Sequence, residues 1–431
     1  MEAEIIVFVA IMSAAGASAG MFSGLVPGIH VNTLASMMLI LYPSMNATIS
    51  SFADPAYVPV LLSSCIVSAS VVHSFVSYVP SVFTGVPDQD NVMSMLPGHR
   101  LLLDGKGMIA VRASAIGSLI GGMSAVMVAI PLQYLMLNGL GGYLESITSV
   151  VLMIAVVALI LSETTPGKWG YAASLVLISG AMGCICMFMP VPYHGLLFDG
   201  ELLFPLLTGL FGIPVLISSP SGAEMPEQTD DDRHPVSVSS GLKGVLTGSA
   251  VGWFPGITAT AGAAFTRLFI REDRPERFIA LVSSIGTAAV VFALITLSVS
   301  GKGRSGTMMV VREILGGSMT GPADGIFLLM LLSVAVASFI GYLAAIRSGR
   351  GMAGFISKVN MKKMNMTILA VIVVLVLLMT GAWGIAVLAI SAIVGMIPIS
   401  AGTARVHLSG CLLVPVLLMQ FGLDAAFLSL L

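Results

Sequence analysis

Unbroken apolar runs dominate the chain, at 57–79, 108–136, 171–190, 276–300, 324–346 and 366–398. A helix needs about 20 predominantly apolar residues to cross a bilayer. Membrane barrels instead show stretches of about ten residues that alternate apolar and polar. Here the runs are continuous and rich in Ala, Leu, Met and Gly. Only helices and closed barrels satisfy their backbones in lipid, so helices remain. Composition adds one constraint: 9% of residues are charged, where soluble domains hold about a quarter. Most of the surface must therefore face lipid. The expectation is an all-α polytopic protein of the cell membrane, multi-pass, with about 10–14 membrane segments, some too short or broken to span alone. The N-terminus, Met1-Glu2-Ala3-Glu4, has no basic flank and reads as a retained first segment.

The chain repeats itself. Glycines fall at Gly16, Gly20, Gly24 and Gly28, and again 228 residues later at Gly244, Gly248, Gly252 and Gly256. Each ladder ends alike, in Pro27-Gly28-Ile29 and Pro255-Gly256-Ile257. Trp169-Gly170 matches Trp383-Gly384, and Pro205, Phe211 and Gly212 match Pro415, Phe421 and Gly422. Two membrane repeats are expected, at 1–219 and 241–431. The polar acidic linker between them, 220–240, carries Glu224, Glu227, Asp230, Asp231 and Asp232 against Arg233 alone.

Basic residues orient membrane helices. Arg100, Lys106 and Arg112 lie in a segment whose counterpart, 316–325, has no basic residue. Arg267, Arg271, Arg274 and Arg277 face a counterpart at 42–57 without basic residues, and Arg347, Arg350, Lys358, Lys362 and Lys363 another at 138–149. That complementarity predicts inverted-topology repeats, with the basic loops cytoplasmic and the acidic linker outside. Arg350 is then inside and Asp231 outside.

Inverted-repeat transporters bind substrate where discontinuous helices meet. Pro27-Gly28 and Pro255-Gly256 are matched interruptions: proline removes an amide donor, and glycine lets the chain turn. A helix broken or re-entrant there presents an N-terminus that favours an anion. His30, Asn32 and Thr33 follow the first break, and Thr258 and Thr260 the second. These are candidate substrate ligands, although Thr and Asn also satisfy freed carbonyls. The ladders upstream read as close helix packing. A second polar pair follows: Gly85, Asp88 and Asn91 in one half, Lys302, Arg304 and Ser305 in the other. Lys302 and Arg304 could neutralise an anionic substrate, and Asp88 or Asp90 could hold a coupling cation; both segments also read as water-exposed loops. His73 reads as a core histidine, with a proton relay as the alternative. Cys65, Cys184, Cys186 and Cys411 read as small packing residues.

Other classes find little support. No basic stripe suggests nucleic acid, and no H-E-x-x-H, G-x-S-x-G or Walker A motif is present. No metal, cofactor or catalytic residue is expected. A membrane enzyme acting on lipid intermediates would need carboxylates gathered at Asp88, Asp90 and Asp104.

The residues Gly24-Leu25-Val26-Pro27-Gly28-Ile29-His30-Val31-Asn32-Thr33 resemble the G-x-x-P-G-x-G-x-T signature of the large membrane subunit of tripartite tricarboxylate transporters, the TctA family. The segment from Gly252 through Pro255-Gly256 to Thr260 resembles its second copy. Gly98, Leu103-Asp104-Gly105 and Lys106-Gly107 are similar in order to a further family loop, and the stretch from Glu201 to Gly212 resembles its end-of-half motif. His30 and Thr258 stand where the bacterial family has glycine, which is closer to a divergent archaeal-type branch. The resemblance implies a secondary active transporter for a small organic anion, a di- or tricarboxylate, coupled to Na⁺ or H⁺. It also implies a small membrane subunit and an extracytoplasmic binding protein as partners, with a homo-oligomer left open. Broken Pro-Gly repeats also resemble those of a family that returns polyprenyl phosphate across the membrane, which supplies the alternative: a lipid-carrier flippase with Lys302 and Arg304 as its phosphate clamp.

Overall fold

The computed structural model describes residues 3–26, 29, 31–85, 91–161, 163, 166–188, 194–196, 201–218, 226–230, 237–254, 259–270, 272–319, 321–356, 361–424 and 429. Helices in the first half are α1 (Ala3–Leu25), α2 (Val31–Ile40), α3 (Tyr42–Ile49), α4 (Val58–Val76), α5 (Tyr78–Thr84), α6 (Val92–Leu103) and α7 (Gly107–Leu135). They continue with α8 (Gly141–Leu161), α9 (Trp169–Phe188), α10 (Leu203–Leu207) and α11 (Ile213–Ser218). The second half holds α12 (Val238–Trp253), α13 (Ala259–Phe269), α14 (Pro275–Ser300), α15 (Gly306–Leu315), α16 (Gly325–Ile356), α17 (Met361–Ala401) and α18 (Gly410–Gln420). The protein is an all-α polytopic membrane protein, and no strand occurs among the described residues.

Seven described stretches are long and apolar enough to cross a membrane: Glu4–Leu25, Pro55–Thr84, Gly107–Leu161, Trp169–Phe188, Pro275–Ser300, Gly325–Ile356 and Asn365–Ala401. Gly107–Leu161 has 55 residues, about 80 Å of helix, and turns at Gly139, whose φ is 109°. That is length for two passes. Asn365–Ala401 likewise bends at Gly381, where φ is 61°. Shorter apolar helices cover Leu203–Ser218 and Arg405–Gln420.

The glycine ladders are packing devices. A Cβ on Gly16 or Gly20 of α1 would overlap the carbonyls of Cys65 or Ala69 on α4. On α12, a Cβ on Gly248 would sit 2.7 Å from Ala288 Cβ of α14, and one on Gly252 2.7 Å from the Ala289 carbonyl. Without side chains the backbones approach closely, which is how membrane helices gain van der Waals contact. Register advances in the same sense on both members, so α1 runs parallel to α4 and α12 to α14. Buried hydroxyls lock the seams: Ser284 Oγ donates to the Gly241 carbonyl at 2.6 Å and Thr296 Oγ1 to that of Gly252 at 3.1 Å. His73 is a buried core residue bonded to Ser23 Oγ at 3.0 Å.

The halves interlock through α7. Gly117 and Gly121 lie against Ala280 and Ser284, Ser283 Oγ donates to Ser114 Oγ at 2.9 Å, and Gln133 Nε2 donates to Ser298 Oγ at 2.9 Å. Thus α7 is parallel to α14. Against α16 the register reverses: Gly122 meets Ser338 while Gly349 meets Val111 and Met108. So α7 and α16 are antiparallel.

One expectation is corrected. The linker does not lie opposite the basic loops. Asp230 pairs with Arg112 at the start of α7 and, at 2.9 Å, with Arg350 near the end of α16. Gln228 Oε1 accepts from the Gly107 amide at 2.9 Å, and the Thr229 amide donates to the Gly105 carbonyl at 2.9 Å. The linker therefore shares a face with Arg112 and Arg350. Acidic residues carry little weight in setting orientation, and Asp230 here neutralises the arginines that do. Asp231 lies outside the described residues.

Candidate functional site at the helix interruptions

Helix is described on both sides of each Pro-Gly position. α1 ends at Leu25, with the Ile29 amide still bonded to the Val26 carbonyl at 3.3 Å, and helix resumes at Val31. α12 ends at Trp253, Phe254 is extended (φ −80°, ψ 127°), and helix resumes at Ala259. Pro27, Gly28, His30, Asp88, Asp90, Pro255, Gly256 and Thr258 lie outside the described residues, as does the side chain of Thr33.

The described members lie on or beside two pairs of helices that pack across the halves. At the first, α2 packs against α15. Asn32 Oδ1 accepts the Thr307 amide at 3.0 Å, and a Cβ on Gly306 would lie 2.7 Å from Asn32 Cγ. Ser305 is the N-cap of α15, accepting from the Met308 amide at 3.3 Å and lying 3.0 Å from Thr307 Oγ1. A first-half side chain thus helps cap a second-half helix, satisfying donors that a helix start leaves bare.

Charge gathers beside it. Lys302 Nζ lies 2.7 Å from Glu145 Oε1, and Arg304 Nη2 lies 3.7 Å from the same oxygen. The Lys302 side chain is 57% exposed but that of Arg304 only 11%, so Arg304 is the cation held in low dielectric. Its Nε has no hydrogen-bond partner among the described residues. Burial pulls the guanidinium below its usual value, and Glu145 pushes it back up. Two cations against one carboxylate leave the group one charge positive, at a helix start whose dipole has the same sign.

At the second junction α13 packs against α6. Thr260 is fully buried on α13. Asn91 precedes α6, is buried, and donates through Nδ2 to Ser77 Oγ at 2.9 Å. Asn91 therefore ties the start of α6 to the bend between α4 and α5. Gly85 and Gly301 end α5 and α14 in the same left-handed conformation, φ 72° and 64°, which glycine adopts without penalty.

Sequence reasoning missed Glu145, the only charged residue of α8. A lone carboxylate in an apolar run marks function by default, so the signal was present. Among the described residues no group of three or more His, Cys, Asp or Glu gathers to hold a metal.

Seven described stretches long and apolar enough to cross a membrane define a polytopic membrane protein. The chain belongs to the tripartite tricarboxylate transporter TctA family, whose model matches residues 10–410. It is similar to an uncharacterized protein of Methanocaldococcus jannaschii, MJ1079, at 24% identity over 355 residues, covering 81% of this chain and 82% of that protein. No solved structure matches.

Proposed function

We propose that the chain is a secondary active transporter that moves a small organic anion, a di- or tricarboxylate, by alternating access between two inverted repeats, coupled to Na⁺ or H⁺. The observation that carries the reading is the first junction. There a break in one half seats Asn32 on the start of α15 beside the buried cation Arg304. A carboxylate suits such a place, because charge-assisted bonds to guanidinium and helix-start amides are the strong ones. The inverted arrangement draws support from the antiparallel course of α7 and α16, which occupy matched places in the two halves. A small membrane subunit and an extracytoplasmic binding protein complete the proposed system, in keeping with the family.

The test is thermal stabilisation of the purified protein by citrate, succinate, phosphate and polyprenyl phosphate, each with and without Na⁺. A ligand that binds only the folded state raises the midpoint. A shift with a carboxylate that is lost in Arg304→Gln supports the reading. A shift with polyprenyl phosphate alone replaces it with the lipid-carrier flippase. Engagement of Lys302 by Glu145 speaks against the flippase clamp, since that ammonium already has its counter-charge.

A further inference from the structure

A second polar centre lies away from the junctions. Glu163 follows α8 in the first half; His407 lies in the turn Arg405–Ser409 that leads into α18 in the second. The Glu163 side chain is 7% exposed and His407 is fully buried, with Nε2 3.2 Å from Glu163 Oε2. The same oxygen accepts the Ala404 amide at 3.1 Å. Trp169 Nε1 donates to the Glu163 carbonyl at 3.0 Å and pins the backbone. His407 Nδ1, Thr403 Oγ1 and Arg405 Nη1 are buried with no hydrogen-bond partner among the described residues. Buried polar atoms are normally paired, and an exception calls for a reason.

We propose that Glu163 and His407 form the binding site for the coupling proton. The proposal rests on the transporter reading above and names its ion. With Nε2 committed as donor to the carboxylate, the proton that comes and goes is the one on Nδ1. The protonated pair is imidazolium with carboxylate, net neutral. The deprotonated pair carries one buried negative charge. Burial pulls the His407 imidazole below its usual value and the Glu163 carboxylate pushes it back up, so the two states are held within reach of each other.

Among the described residues the elements around the pair carry few other charges. The turn packs on α8, α9, α13, α17 and α18. Lys168, just before α9, spends its ammonium on the carbonyls of Ala401 and Gly402, at 3.2 and 2.6 Å. The remaining charges on these helices are Glu145 in the first turns of α8, Arg267 in the last turn of α13, and the lysines at the start of α17; α9 and α18 have none. The link to transport is α13, the helix that follows the second interruption. Motion of one half against the other changes the Glu163–His407 contact, since each residue belongs to a different half.

The decisive experiment has a substrate-free arm and a transport arm. In the first, lipid-reconstituted protein carries ¹⁵N-histidine; the chain has six histidines, and His407→Asn assigns the resonance by its loss. That imidazole should titrate in wild type and lose its proton about tenfold more readily in Glu163→Gln, because the carboxylate that holds it is gone. A resonance that does not titrate, or one indifferent to Glu163→Gln, overturns the proposal. In the second arm, proteoliposomes with a trapped pH dye receive citrate. Wild type should acidify the lumen as citrate enters, while Glu163→Gln and His407→Asn should lose the acidification. Acidification that survives both variants also overturns it. Wild-type vesicles that take up no carboxylate defeat the transport reading instead and leave the titration to judge the pair. Glu163→Asp and His407→Gln serve should either variant fail to fold.

Discussion

The two junctions share an architecture and differ in charge. In each, the helix after an interruption packs on a helix from the other half: α2 on α15, α13 on α6. At the first, Lys302, Arg304 and Glu145 surround a helix start capped by Asn32 and Ser305. At the second, the described groups are neutral: Thr260, Asn91 and Ser77. On the proposed function, the first junction attracts the anion and the second holds helices in register.

Arg304→Gln should break the contrast with the largest effect. A hydrogen bond to a charged group contributes about 1.5–3 kcal/mol, so carboxylate affinity should fall by about 10- to 150-fold. Titration calorimetry or thermal shift against citrate reads this directly. An unchanged affinity would move the anion away from the first junction.

Gly306→Val comes next. Its Cβ would meet Asn32 Cγ at 2.7 Å, so the side chain that caps α15 would have to shift. Overpacking of this kind costs about 1–3 kcal/mol. The melting midpoint should drop and uptake with it. Position 92, the matching first residue of α6, already holds a buried valine, so Val92→Ala should leave a cavity there and relieve no clash. Equal tolerance of bulk at both sites would show that the junctions are not packed differently.

Much of the fold could be read before any coordinates. Apolar runs gave the helices, and the ladders at Gly16–Gly24 and Gly244–Gly252 gave the close seams. Each signal is local: a run, a spacing, a backbone preference. The site was less legible, because its pairings join residues far apart in sequence. Lys302 meets Glu145 across 157 residues, and His407 meets Glu163 across 244. No periodicity announces such a partner. The linker failed for a related reason. Its acidic residues are expected opposite the basic loops, yet Asp230 neutralises Arg112 and Arg350. Cysteines placed at 230 and 350 should therefore label from the same side of the membrane. Labelling from opposite sides would restore the earlier topology.

The smallest effect is also the sharpest test of the charge contrast. Glu145 holds Lys302 at 2.7 Å and faces Arg304 at 3.7 Å, with half of its own side chain exposed. An exposed ion pair contributes about 0–1 kcal/mol, so Glu145→Gln should leave the melting midpoint within a degree or two. Affinity should respond differently. Removing the carboxylate raises the net charge beside α15 from +1 to +2 and frees an ammonium to reach the substrate. Carboxylate binding should tighten about two- to fivefold, with a steeper loss on adding salt, because exposed charges are screened over about 8–10 Å at ordinary ionic strength. If affinity falls instead, Glu145 does more than balance charge: it holds Lys302 and Arg304 in the geometry the anion needs, and the first junction is an organised clamp in place of a simple positive field.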